Sequence, residues 1–326
     1  VSDALLAGYD AVLFDLDGTV YHGAQVIEGA VDVIADIRAQ GAAVRFVTNN
    51  ASKAPEAVVE HLGELGIEAQ AHEVSTSAQA GVALLKERVP AGTHVLVVGA
   101  ESLADEVRRA GLVPVREASE TVGAVVQGHS PDNGWRILSE AALAIRAGAL
   151  WVATNVDKTL PSERGLLVGN GSMVAAVRSA TDAEPLVAGK PQPGQFLAAA
   201  KGAERPLVVG DRLDTDIAGA IAAEMPVLCV LGGVATPSTL VTAIPKERPQ
   251  FIARDLTGLR EPAETLKVGP SQTWTVDVRD ELVVSGDGDA LDLLRALCHA
   301  AWESGVTGVR ADGQTASRTL AELGIG

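Results

Sequence analysis

The chain has 326 residues, 47% of them hydrophobic, 21% charged and 3% aromatic, with a formal net charge of −16. That length exceeds one compact core and implies about two domains with an appendage, and a core built from Ala, Val and Leu suits parallel strands buried between helices. The negative charge argues against a nucleic-acid backbone or an anionic membrane as partner, so an anionic ligand would have to be drawn by a local positive site.

Residues 1–10 do not join a basic stretch to an apolar run, so no signal peptide is expected there. No apolar run approaches ~20 residues, so none is expected to span a membrane. Cys229 and Cys298 are too few and too far apart for a disulfide framework, which fits a reducing cytoplasm.

From there, short apolar runs alternate with amphipathic segments. Strands are predicted at 11–14, 44–47, 95–98, 122–126, 150–153, 207–209 and 227–231. Helices are predicted at 30–40 and 55–65, each closed by a glycine, Gly41 and Gly66. Repeated strand–helix alternation predicts an α/β fold with a doubly wound, mostly parallel sheet. Past Pro262 the pattern changes to strands at 274–278 and 282–284, a helix at 289–302, a strand at 306–310 and a last helix from near Thr315. In that helix Leu291, Leu294 and Trp302 read as a packing face.

Chemistry concentrates where predicted strands end. Phe14-Asp15-Leu16-Asp17-Gly18-Thr19 runs a buried strand into two aspartates at the edge where open α/β sheets bind ligands. Two neighbouring carboxylates repel each other and favour a cation, and Mg²⁺ prefers oxygen donors. On its own the motif also reads as an acidic turn. Thr48-Asn49-Asn50 ends the next strand with a hydroxyl and two amides, and Lys190 lies in Gly189-Lys190-Pro191 just ahead of a helix expected from Pro193. The strand 207–209 then enters Gly210-Asp211-Arg212-Leu213-Asp214-Thr215-Asp216, three acids of which Asp214 is the one best read as a turn or cap.

The ordered set resembles the haloacid dehalogenase superfamily of phosphatases, over roughly 9–259. The stretch between Thr48-Asn49-Asn50 and Lys190 is similar to the large α/β cap of its p-nitrophenyl phosphatase and phosphoglycolate phosphatase branch. Within that stretch the resemblance rests on Ala153-Thr154-Asn155-Val156-Asp157, Pro161, Gly165 and Gly169-Asn170-Gly171. The resemblance implies a Rossmann-like core formed by 1–76 and 186–262, an inserted cap at 77–185 that selects the substrate, and an appendage at 263–326 for packing or oligomerisation. It implies a Mg²⁺-dependent phosphatase for small phosphate monoesters, working through an aspartyl-phosphate on Asp15. Glycerol 3-phosphate is the leading substrate, and phosphoglycolate, pyridoxal phosphate, sugar phosphates and nucleotides are alternatives.

Residue by residue, the resemblance makes Asp15 the nucleophile and Asp17 the acid and then base. Asp15, the main-chain carbonyl of Asp17 and Asp211 would hold the metal, with Asp216 behind them. Thr48, Asn49 and Lys190 would bind phosphate, and Asn155 and Asp157 would contact the substrate from the cap. A second acid at 17 disfavours a dehalogenase; a phosphomutase would use the same core, and a phosphometabolite-binding regulator is the reading from another class. A small phosphorylated metabolite is the expected partner, and a homodimer is expected because capped relatives commonly pair.

Other patterns are weaker. Gly169-Asn170-Gly171 lacks the third glycine of a dinucleotide fingerprint, and the single glycine after 95–98 is too little for a nucleotide loop. His22 and His129 each read as a pocket residue or a solvated one. The tail resembles the closing part of acetyltransferase folds, with Arg310 and Gly313 as a possible phosphate loop, but it is too short for that whole fold.

Overall fold

The structure, a computed structural model, describes residues 4–162 and 164–325, and for 161 and 162 the backbone alone. Residues 1–3 of the N-terminal stretch and the side chain of Pro161 therefore lie outside the described residues. Two compact units are present, Val1–Arg45 with Ala200–Gly326, and Phe46–Ala199.

In the first unit the strands Ala11–Phe14, Pro206–Gly210, Val227–Val230 and Phe251–Ala253 lie side by side in parallel, with Phe14 opposite Val209 and Cys229 opposite both Gly210 and Ile252. Val12, Leu13, Phe14, Leu207, Val208 and Val209 have no exposed surface, as expected for strands covered on both faces. The alternation that predicted the helix at 30–40 gives Ala30–Ala39, which buries Val33, Ile34 and Ile37, and Gly41 at φ +81 ends it where a side chain would be strained.

The tail belongs to this unit. Trp274–Val278 pairs antiparallel with Leu282–Gly286, which pairs in parallel with Val309–Ala311. The helix Ala290–Ser304 is capped by Asp289, whose side chain accepts from the Asp292 amide, and closes on Gly305 at φ +77. The strand predicted at 306–310 starts only at Val309, because this helix runs to Ser304 and the chain must first complete its turn. Leu291, Leu293, Leu294, Leu297, Cys298 and Ala301 are buried, so the expected packing face is present and wider than the sequence pattern showed.

The second unit carries its own parallel sheet, in the order Leu186–Val187, Leu150–Ala153, Val122–Gln127, His94–Val98 and Val113–Val115. Side chains alternate between its faces. Val95, Val97, Val126 and Val152 pack with Leu85, Leu103 and Val107, whereas Leu96, Val98, Val125 and Trp151 pack with Ala141, Ile145 and Val174. The same unit contains the end of the strand Ala43–Thr48, whose Phe46, Val47 and Thr48 pair in parallel with Val74, Ser75 and Thr76. An antiparallel hairpin, Thr159–Ser162 with Gly165–Val168, projects exposed Leu166, Leu167 and Val168. Among the described residues no helix is long and apolar enough to cross a membrane.

Candidate active site

Asp15 directly follows the buried strand Ala11–Phe14, and its amide continues the ladder to Val209 O at 2.9 Å. Asp211 likewise follows Pro206–Gly210, so parallel pairing brings the two acids to one sheet edge. Carboxylate oxygens of Asp15, Asp211 and Asp216 lie within 4.8 Å of one another, and all three residues are buried. Three buried like charges this close need a cation to offset their repulsion. A donor set made only of oxygens fits Mg²⁺, so the residues suit the group that the resemblance implies.

The surroundings hold these acids in place. Asp211 Oδ1 accepts from Thr19 Oγ1 at 3.2 Å, Oδ2 accepts from the Val234 amide at 2.7 Å, and the Asp211 carbonyl accepts from the Ala235 amide at 2.8 Å. Asp216 Oδ2 accepts from the Arg212 amide at 3.1 Å at the start of a wide π-turn, Leu213–Ile217. Glycines make room: a Cβ on Gly18 would stand 2.4 Å from Asp211 Oδ2, and one on Gly210 would stand 2.4 Å from the Asp216 Cβ. Asp214 is exposed and pairs with Arg212 at 3.3 Å, the turn position expected of it.

Asp17 is exposed, on the tight loop whose Gly18 amide donates to Tyr21 O at 2.9 Å, and its side chain is not part of the three-carboxylate group. Burial, helped by the negative charges of Asp17 and Asp15, pushes the Tyr21 phenol well above its ordinary value, so it stays neutral. His22 lies on the short hairpin that follows, with Nε2 2.7 Å from Gly232 O.

In the second unit the predicted residues form one hydrogen-bonded knot. Asn49 Nδ2 donates to both Asp157 carboxylate oxygens at 3.2 Å and to Lys190 O at 3.1 Å, and Asn49 Oδ1 accepts from the Lys190 amide at 2.9 Å. Asn155 Nδ2 donates to Asn49 O at 2.8 Å. Lys190 is 2% exposed, and its Nζ donates to Val47 O at 3.0 Å. Thr48 Oγ1 accepts from the Asn50 amide at 3.1 Å.

Sequence reasoning missed Gln195 and Ser77, which support this knot, and gave Asn170 only as part of the cap resemblance. Gln195 Nε2 donates to Thr48 O and Ser75 O, both at 2.9 Å, so it clamps two strand ends together. Ser77 Oγ donates to Asn49 O at 2.6 Å, and Asn170 Nδ2 donates to Asn155 O at 2.7 Å. The loop Gly232–Ala235, which grips Asp211, was missed as well. Lone amides and glycines carry no spacing signal; a Gly-Gly pair straight after a buried strand was the one hint.

In the tail, Arg310 pairs with Glu281 at 3.6 Å, and Gly313 sits at φ +107 at the start of the last helix, Gln314–Glu322. His129 is half-buried, and desolvation of its ring holds its pKa below the usual histidine value.

Comparison with known proteins agrees with this arrangement. Residues 12–113 match the haloacid dehalogenase-like hydrolase family, 187–259 match a further haloacid dehalogenase-type hydrolase family, and 272–325 match a GCN5-related N-acetyltransferase-like domain. A D-glycerol 3-phosphate phosphatase of Mycobacterium tuberculosis is 49% identical over 308 residues, covering 91% of this chain and 86% of that protein. An acid sugar phosphatase of Staphylococcus aureus is 39% identical over 232 residues, covering 70% and 88%. The crystal structure of a Mycobacterium tuberculosis glycerol phosphate phosphatase in complex with magnesium superposes with a TM-score of 0.96 at 45% identity over all of both chains. The chain belongs to the haloacid dehalogenase-like hydrolases. Its α/β core with parallel strands is the Rossmann-like core of that family.

Proposed function

We propose that this hydrolase is a Mg²⁺-dependent phosphatase of small phosphate monoesters, with glycerol 3-phosphate as its principal substrate. The observation that carries the reading is the buried group of Asp15, Asp211 and Asp216 at the ends of two adjacent strands. The substrate rests on the phosphatase relative that is 49% identical across most of both chains.

In this reading Asp15 attacks phosphorus, the ester bond to the alcohol oxygen breaks, and Asp17 gives that oxygen its proton. Asp17 then takes a proton from the water that hydrolyses the aspartyl-phosphate, returning both residues to their starting state. Asp15, Asp211 and the Asp17 carbonyl would hold Mg²⁺, with Asp216 beside them; the ion would supply the positive charge that lets an anionic nucleophile meet an anionic phosphate. Thr48, Lys190 and Asn49 bind the phosphoryl oxygens. For Asn49 the main-chain amide is the donor, because its side chain is engaged with Asp157 and Lys190. Residues 1–76 and 186–262 serve as the catalytic core and 77–185 as a cap that selects the alcohol through Asn155, Asp157 and neighbouring loops. Residues 263–326 are a packing element.

The assembly is a homodimer, a reading supported by the exposed apolar hairpin at Leu166, Leu167 and Val168. Two buried free thiols, Cys229 and Cys298, support a cytoplasmic location. The test is phosphate release from a panel of metabolite esters, with Mg²⁺ and with chelator, by wild type and Asp15→Asn. Metal-dependent release, strongest for glycerol 3-phosphate and abolished in the variant, is expected. Retention of more than about a tenth of the rate would remove Asp15 as nucleophile. Equal rates across the panel would reopen the substrate, and light scattering of wild type against Leu166→Ser/Leu167→Ser checks the dimer.

A further inference from the structure

The loop that grips Asp211 is joined at its far end to the tail. Val234 and Ala235 donate to Asp211, and Thr236 then caps the one-and-a-half-turn helix Pro237–Val241 by accepting from the Thr239 amide. At the other end of this short helix, Leu240 O accepts from the indole Nε1 of Trp302 at 2.9 Å. Leu240 lies five positions past Ala235, about 8 Å of helical rise, too short a span to bend independently. Trp302 is itself clamped: the Arg248 guanidinium lies over its ring at 5.5 Å, Arg248 Nη1 donates to Trp302 O at 3.2 Å, and Arg248 Nε donates to Ala243 O at 2.9 Å. The helix bearing Trp302 is anchored in the core by its apolar face and by Arg295, whose Nε donates to Ile252 O at 3.0 Å.

We infer that the acetyltransferase-like tail is a brace for the metal site, with Trp302 as a positioning residue that sets Asp211 through the helix Pro237–Val241. The helix is too short to hold its own orientation, and Leu240, fully buried, gives it only one apolar anchor besides Val241. The indole hydrogen bond fixes the helix end, and the two amides at its start fix the carboxylate and carbonyl of Asp211. Loss of the indole bond therefore leaves the loop free to tilt, and Asp211 tilts with it. The inference rests on Asp211 being a metal ligand.

The test is isothermal calorimetry of Mg²⁺ alone into wild type, Trp302→Phe and Arg295→Met, with Tm measured for each. Trp302→Phe keeps an aromatic ring and loses the N–H; Arg295→Met removes a tail anchor directed at the strand Phe251–Ala253 and not at Pro237–Val241. The expected result is a Mg²⁺ Kd weakened about three- to ten-fold in Trp302→Phe, smaller than the ten- to hundred-fold of a group bonded directly to a ligand. KM for the ester stays near wild type, kcat recovers at saturating Mg²⁺, and Arg295→Met lowers Tm with its Mg²⁺ Kd unchanged. An unchanged Kd in Trp302→Phe overturns the inference, and so does an equal weakening in both variants that tracks Tm. Should Trp302→Phe not fold, Arg248→Met, which releases the ring from its clamp, reads the same coupling by the same criteria. Wild type that binds no Mg²⁺ defeats the metal-site reading itself, a different outcome from wild type and variant binding alike.

Discussion

A single methyl group at residue 233 should disable the proposed metal site while leaving the fold intact. A Cβ on Gly233 would stand 1.9 Å from Asp211 Oδ2 and 2.9 Å from Gly18 Cα. Neither neighbour can give way cheaply. Gly18 is backbone held at φ +94, and Asp211 is fully buried with both carboxylate oxygens hydrogen-bonded. Ordinary contact begins near 3.4 Å, so the carboxylate or the loop must withdraw by about 1.5 Å. Displacement on that scale costs about 100-fold in kcat/KM when it falls on catalytic geometry, and about 10- to 100-fold in metal affinity. Gly233 is exposed, but the added Cβ meets buried groups, so Gly233→Ala also costs about 1–3 kcal/mol of stability, as overpacking does, without unfolding the chain. The assay is a Mg²⁺ titration of activity beside calorimetric Mg²⁺ binding and a melting curve. Mg²⁺ Kd within about twofold of wild type would show that the loop does not control Asp211, and the account of the site would fail there.

Gln195→Leu strips the donor from Thr48 O and Ser75 O. We expect a loss of about 1–3 kcal/mol in stability from the buried carbonyls left unpaired, read by urea unfolding, with KM raised more than kcat falls; unchanged stability would refute the clamp. The half-buried ring of His129 has its pKa held below the ordinary 6.5 by desolvation, so the folded protein favours the neutral ring. Above about pH 6.5 neither state binds the proton and this contribution is constant; below it the unfolded chain protonates first, so stability falls as pH drops toward the folded pKa. His129→Gln should flatten the pH dependence of Tm on the acid side, and an unchanged slope would remove burial as its cause. Burial pushes both the Cys229 and Cys298 thiols up, so native protein should resist an aromatic disulfide reagent near pH 8 and both thiols should react on unfolding. Fast reaction of either in the native state would contradict the packing of the tail helix against the core.

Much of this architecture was legible because parallel strands buried on both faces are continuous apolar runs. The strands Ala11–Phe14, Leu150–Ala153 and Trp274–Val278 fall where the pattern put them, and the acids that follow the runs at 14 and 210 mark the sheet edge. Two-residue strands such as Leu186–Val187, and the hairpins Tyr21–His22 with Gln25–Val26 and Thr159–Ser162 with Gly165–Val168, have no period long enough to show. Their formation is decided by neighbours far away in the chain. The same holds for support around the acids. Nothing local distinguishes Gln195 from a surface glutamine, or Gly233 from any loop glycine, until Thr48 and Asp211 are seen beside them. Chemistry that sits on one strand end is readable from sequence; chemistry that depends on contact between distant strand ends is not.

The tail shows why a domain match and an activity must be kept apart. A helix start attracts an acyl carrier's phosphates only while its first amides are unpaired; the loop of Arg310 and Gly313 opens Gln314–Glu322, and the tail's longer helix is Ala290–Ser304. Here Asp289 places its own carboxylate on the Asp292 amide, and Asp292 stands in the same turn with Oδ2 accepting from Ser271 Oγ at 2.5 Å. Two carboxylates thus occupy the start of that longer helix. Arg310, the cation that the sequence offered for phosphate, is paired with Glu281. What the longer helix does is bury eight apolar residues and Arg295 in the first unit and present Trp302 to the short helix behind Asp211. An acetyltransferase-like fold can serve a hydrolase in this way because its strand–helix pairing supplies a rigid surface whether or not its ligand loop is kept.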